Sequence, residues 1–299
     1  MSSVPKCSTP LFGYFLLVGS ALLLAIYSES ARALDRDLDW QSAAFARSLI
    51  GILIVVPMAW TKRSEMVVLH PKLFIRNLFV AIFLIGFVYS ASKISPADVV
   101  TVMSTQPLWI AFISMYLFGI RYVKKFWFIT AVFCIGVALL ASAGSTDTVW
   151  VIVLFLILTM FRAVGTVMVL MLKEIPAIIQ TVHLTMVMLL LSALIFFFYG
   201  GHAHLDTLLD AKGIALLLAI GFTGTLYQYF SVKVVQLLGS IAGGLMPVVA
   251  VVFAYVMDLI LWQEGLNVPR FTGMVLVLSS VGWFIFSKHI QKSSGTMPA

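Results

Sequence analysis

Tyr89-Ser-Ala-Ser-Lys93 is followed, inside the next apolar run, by Pro107, and the same three residue types return as Tyr229-Phe-Ser-Val-Lys233 and Pro247. All three recur at one common offset, nearly half the chain. In both copies the Tyr ends an apolar run and the Pro sits within the following one. A fixed offset of this kind marks an internal duplication in which each unit repeats the same pair of helices.

The composition says what solvent those helices meet. Of 299 residues 62% are apolar and only 10% charged, against about 45–50% and about 25% in soluble domains. No soluble core of this size needs so much apolar sequence, so the surroundings are lipid. The net charge of +7 would point to nucleic acid in a soluble protein. Here the basic residues sit in short loops between apolar runs, which is a membrane-orientation pattern, and no nucleic-acid motif accompanies them. Cys7 and Cys134 lie in a tail and in an apolar segment, so no disulfide framework is expected.

Ten apolar runs follow one another: Leu11–Tyr27, Gln41–Trp60, Leu73–Ala91, Ala97–Gly119, Phe126–Ala143, Val149–Leu172, Ile178–Tyr199, Ile214–Phe230, Ile241–Trp262 and Phe271–Phe286. Each is near the roughly 20 residues that span a bilayer as helix, and none alternates as a barrel strand would. The first is longer than the core of a signal peptide, and removing it would spoil the repeat. The expected fold is all-α and integral to the membrane. A tail (1–10) leads into a first five-helix unit (11–143), then a second (149–286) and a C-terminal tail (287–299).

Orientation follows from the loop cations. Twelve, among them Lys62, Arg76, Lys124 and Lys233, fall on one side, and five, including Arg32, Lys93 and Lys212, on the other. This bias puts both termini in the cytoplasm, in a plasma (inner) membrane. Five helices per unit is odd, so the second unit enters from the opposite side. Inverted repeats of this kind are common in secondary transporters, whose binding sites lie near the midplane between the repeats.

The chain at this point resembles an EamA-type member of the drug/metabolite transporter superfamily, over nearly its whole length. Phe45-Ala-Arg47-Ser-Leu49 is similar to the family's second-helix arginine segment, Pro107 and Pro247 to the prolines of its fourth and ninth helices, Glu264 to the Glu ending the ninth, and Gly136 and Gly282 to glycines late in the fifth and tenth. Ile120 stands about where the first repeat usually has Glu, and Pro247 to Glu264 is about one turn longer than usual. The resemblance implies ten helices in two repeats and movement of small organic solutes, by proton exchange or facilitated diffusion.

Pro107 and Pro247 each free a backbone carbonyl and bend their helix. They read either as cavity-lining kinks or as purely structural ones. Gly239, Gly243 and Gly244 read as close helix packing. Thr101, Ser104, Thr105 and Gln106 make a polar stripe before Pro107, and Tyr227, Gln228 and Tyr229 lie in the eighth run. Polar groups in lipid must face protein or water, so these residues, with Tyr89, form either a substrate pocket or ordinary interhelical hydrogen bonds. His202, His204 and Asp206 share a loop but lack a clear further ligand, so no metal is expected. His183 reads as a packed side chain. Lys93 and Lys233 snorkel to the interface.

Arg47 lies about 10 Å inside the outer end of the second helix and Asp258 about 6 Å inside that of the ninth, so the two are expected to pair. Arg162 lies only about 2 Å from the middle of its run. Two readings stand for it: carbonyls of kinked helices satisfy it, or it binds a carboxylate or phosphate of the solute bidentately.

The function expected is a secondary transporter of a small polar organic metabolite, such as an amino acid or organic anion, working by alternating access. No nucleotide-binding loop is present, so ATP is not the direct driving force, and no cofactor is expected. Asp258 and His183 are the candidates for proton coupling. A membrane-embedded enzyme and a structural membrane subunit are the competing classes. Both a monomer and a homodimer fit the sequence.

Overall fold

The computed structural model describes residues 9–34, 39–65, 70–118, 124–142, 146–199, 211–263 and 268–286. Within them every regular element is helical: α1 (Thr9–Leu34), α2 (Trp40–Ala59), α3 (Pro71–Lys93), α4 (Pro96–Met103), α5 (Gln106–Phe118), α6 (Lys124–Ser142), α7 (Thr146–Met171), α8 (Ala177–Tyr199), α9 (Ala211–Leu238), α10 (Ser240–Met257) and α11 (Val268–Phe286). Short 3-10 and π turns extend α2 and α10, over Trp60–Glu65 and Asp258–Trp262. Seven helices among the described residues are long and apolar enough to cross a membrane. Large apolar side chains face outward, with Phe15 at 74% and Phe198 at 80% exposure, so the outer surface suits lipid.

The expected run Ala97–Gly119 is two helices, α4 and α5, separated at Ser104–Thr105. Pro107 explains the break: it has no N–H to offer the carbonyl four residues earlier, and its ring crowds that carbonyl. Ser95 starts α4 by accepting the Asp98 amide at 3.2 Å, with Pro96 in the first turn, where a missing N–H costs nothing. The repeat-related Pro247 lies inside α10, which runs through it unbroken. The same residue therefore interrupts one copy and not the other. Gly239 alone separates α9 from α10, at φ +91°, a conformation a side chain would strain.

Neighbouring relations come in pairs. α1 packs on α9, and α7 packs on α3. α1 also packs on α10, and α7 on the α4–α5 segment. α3 meets α8, and α9 meets α2. α2 meets α8, α6 meets α11, and α4–α5 meets α10. Superposing the first five apolar runs on the last five turns each contact into its twin. The largest core cluster draws on both halves, with Tyr27, Phe83 and Phe87 from the first and Phe155, Met188 and Tyr227 from the second.

One end of α1 is tied to the end of α10. Arg32 Nη1 lies 3.4 Å from Asp258 Oδ1, and its guanidinium covers the Trp262 ring at 4.7 Å. Trp262 Nε1 donates to Glu29 Oε2 at 2.7 Å, one turn back on α1. The Ala97 amide donates to Asp258 Oδ2 at 3.2 Å, bringing α4 into the same clasp. Arg32→Ala and Asp258→Asn should each lower thermal stability. Because the Arg32 side chain is 23% exposed, the coupling in a double-mutant cycle should be about 0.5–1 kcal/mol. Strict additivity of the two losses would show that the contact contributes nothing.

Candidate functional site

α7 is apolar along its interior except for Thr159, Arg162 and Thr166. Spacings of three and four put these on one face, and all three are buried. α9 answers with a stripe of the same kind: Gly224, Tyr227, Gln228 and Ser231 are all buried. The two stripes meet at Arg162, which is 3% exposed. Its Nη1 donates to Gln228 Oε1 at 2.9 Å. Its Nη2 donates to Tyr227 Oη and to Ser231 Oγ, both at 2.8 Å. The guanidinium also lies over the rings of Phe83 at 5.5 Å and Tyr227 at 5.3 Å. Every one of these acceptors is neutral, and Nε has no hydrogen-bond partner among the described residues.

One turn further along α7, Thr166 Oγ1 donates to the Arg162 carbonyl at 3.0 Å and accepts from Gln106 Nε2 at 2.6 Å. This links the α4–α5 break to the arginine. Thr101, Ser104, Thr105 and Gln106 are all buried. Thr105 Oγ1 and Gln106 Oε1 have no partner among the described residues, so the break presents open hydrogen-bonding groups close to Arg162. α10 makes room for the break. A Cβ on Gly244 would stand 2.7 Å from Pro107 Cγ, so the ring of Pro107 nests against the backbone of Gly244.

Arg47 is buried one turn further along the same α9 stripe, at Gly224. Its Nη1 donates to Met188 Sδ and its Nη2 to the Gly224 carbonyl at 3.3 Å, and its guanidinium covers Tyr27 at 4.8 Å. The expected Arg47–Asp258 pair is therefore not formed: Asp258 is held by Arg32 and the Ala97 amide. Counting depth along two helices overlooked Arg32, which the loop reading had placed outside and which lies in the last turn of α1. Tyr229 also departs from the expected set. It follows Tyr227 by two residues, about 200° around a helix, and meets Lys233 Nζ at 3.5 Å instead of Arg162. Tyr89 packs edge-on against Trp40 at 5.3 Å.

Arg76, taken from the sequence as a loop charge, is 2% exposed inside α3. The signal that would have found it is Pro71, a helix-starting residue that places Arg76 more than one turn into the helix. His183 is partly buried, with no partner for Nε2 among the described residues. No group of three His, Cys, Asp or Glu is placed to hold a metal among the described residues. His202, His204, Asp206, Ile120 and Glu264 lie outside the described residues.

The fold and site together define a multi-pass helical membrane protein with a buried cationic, hydrogen-bonding centre. Residues 11–142, from the first turn of α1 to the end of α6, match the EamA-like transporter family, of the drug/metabolite transporter superfamily. That match and the long apolar helices support a multi-pass transmembrane protein of transporter type. No curated protein matches the chain. Among solved structures, a crystal structure of a protein aligns over 93% of this chain and 98% of its own, with a TM-score of 0.66 and 13% identity. That likeness concerns the fold alone.

Proposed function

We propose that the protein is a secondary transporter of a small polar organic metabolite bearing an anionic group, bound at Arg162 and moved by alternating access. The observation that carries this is Arg162 itself, a buried guanidinium whose described partners are three neutral side chains. A buried charge is costly unless compensated, and an anionic solute at this site compensates it. Gln228, Gln106 and Thr105 supply the hydrogen bonds that orient the solute, and the α4–α5 break beside Pro107 gives the flexible wall. Ten crossings in two inverted five-helix units is the topology that fits the paired helix contacts. Both termini are in the cytoplasm and the membrane is the plasma (inner) membrane.

Purified protein in proteoliposomes should give substrate-dependent counterflow of small carboxylates or phosphates without nucleotide. Recovery of a chemically altered solute would indicate a membrane enzyme instead. For the topology, a reporter active only in the cytoplasm and fused after Ser287 should be active, and a silent, fully expressed fusion would reject it.

A further inference from the structure

Arg162 is not the only buried cation in this part of the bundle. Arg76 Nη1 donates to its neighbour, Asn77 Oδ1, at 2.8 Å. Arg76 Nε and Asn77 Nδ2 have no hydrogen-bond partner among the described residues, although the two residues are 2% and 1% exposed. No carboxylate is hydrogen-bonded to Arg47, Arg76 or Arg162 among the described residues. Glu29 is engaged by Trp262, and Asp258 by Arg32 and the Ala97 amide.

Two contacts tie Arg76 to the site. Phe83, two turns along α3 from Arg76, lies beneath the Arg162 guanidinium at 5.5 Å. Gly165, one turn along α7 from Arg162, is where the two helices touch: a Cβ there would stand 2.2 Å from Val80 Cγ2 and 3.8 Å from the Arg76 carbonyl oxygen. The two helices run antiparallel with Phe83 level with Arg162, so helical rise puts Arg76 and Arg162 about 10 Å apart along the bundle.

A solute with a single negative charge would leave one of these two guanidiniums uncompensated in a low-dielectric interior. We propose that the solute carries two acidic charges, as a short dicarboxylate or a phosphate monoester does. Arg162 holds one end, while Arg76 and the Asn77 amide hold the other. This rests on the reading of Arg162 as the anion site. Arg76 and Asn77 offer three or more N–H donors at one place and no competing acceptor beyond Asn77 Oδ1, the arrangement that suits a carboxylate or phosphoryl group.

The test uses the full-length protein in detergent, with ligand binding read as thermal stabilisation. The probes are short dicarboxylates and glycerol or sugar phosphates, each beside the monoamide or monomethyl ester that removes one charge. Wild type should bind at least one doubly charged probe about tenfold more tightly than its singly charged twin. The arm that responds tells dicarboxylate from phosphate. Arg76→Gln should erase that preference and leave the weaker binding of the singly charged twin intact. Asn77→Asp places a carboxylate where the solute's would sit, so it should erase the preference too, in a protein at least as stable as wild type.

If no doubly charged probe is preferred by wild type, or if the preference survives Asn77→Asp, the proposal is overturned. Failure of the Arg162 reading gives a different result: Arg162→Gln would then leave binding of both probe types unchanged.

Discussion

Arg162→Gln is expected to reduce transport of the anionic solute by at least about a hundredfold while the protein still folds. Hydrogen bonds to a charged group contribute about 1.5–3 kcal/mol each, and the substitution removes two or more of them from the bound solute. At about 1.4 kcal/mol per tenfold, that is a loss of two to four orders of magnitude. Folding should be spared, because the residue removed is a buried charge whose described partners, Gln228, Tyr227 and Ser231, are neutral. Glutamine still offers hydrogen bonds to that set. Arg162→Lys keeps the charge but loses the planar fork, and should fall between the two, about tenfold down. The measurement is counterflow at matched protein levels. Full activity in both variants would remove Arg162 from the site and, with it, the reason to expect an anion.

Gly273→Val should be the most damaging small substitution on the bundle's flank. α6 and α11 meet there backbone to backbone. A Cβ on Gly273 would stand 2.7 Å from the Gly136 carbonyl oxygen and 2.8 Å from the Leu140 amide nitrogen, and one on Gly136 would stand 2.9 Å from the Gly273 carbonyl oxygen. Backbone cannot swing aside as a side-chain tip can, so the helices must separate and lose their close contact. Overpacking of this kind costs about 1–3 kcal/mol, read as a lower thermal midpoint in detergent. Gly282→Ala is the control, since a Cβ there meets nothing within 4 Å. Equal stability of Gly273→Val and wild type would mean that the two helices are not in contact at this point.

The sequence carried the helices, because they depend on a chain-local quantity, the length of an apolar run. It also flagged Gln106 and Gln228, whose polarity inside apolar runs needs partners. What it missed depended on which face a residue takes in a folded bundle. Tyr229 and Tyr89 shared the duplicated motif, yet Tyr227, in no motif, turns its hydroxyl to Arg162. Asp258 was at a suitable depth for Arg47, but depth says nothing about azimuth, and Arg32 holds it. Arg76 was lost to a boundary drawn two residues late: starting the helix at Leu73 left the arginine in its first turn, where it was counted with the loop cations. Repeat symmetry was equally blind to the break at Ser104–Thr105, since both copies contain the proline and only one is interrupted.

The exchange of partners between halves bears on how the chain is made. α1 takes its principal neighbours from α9 and α10, and α3 takes its from α7 and α8. A nascent chain that has delivered only its first six helices therefore holds them with their mating faces turned to lipid. Arg47, Arg76 and their polar neighbours are uncovered, because Gly224, Met188 and α7 do not yet exist. Synthesis proceeds at about 5–20 residues per second, so this half-built state lasts on the order of ten seconds. The two halves cannot mature in turn, as beads on a string do. They close on each other in one late step, and the membrane insertion machinery must shelter the basic faces of the first half until then.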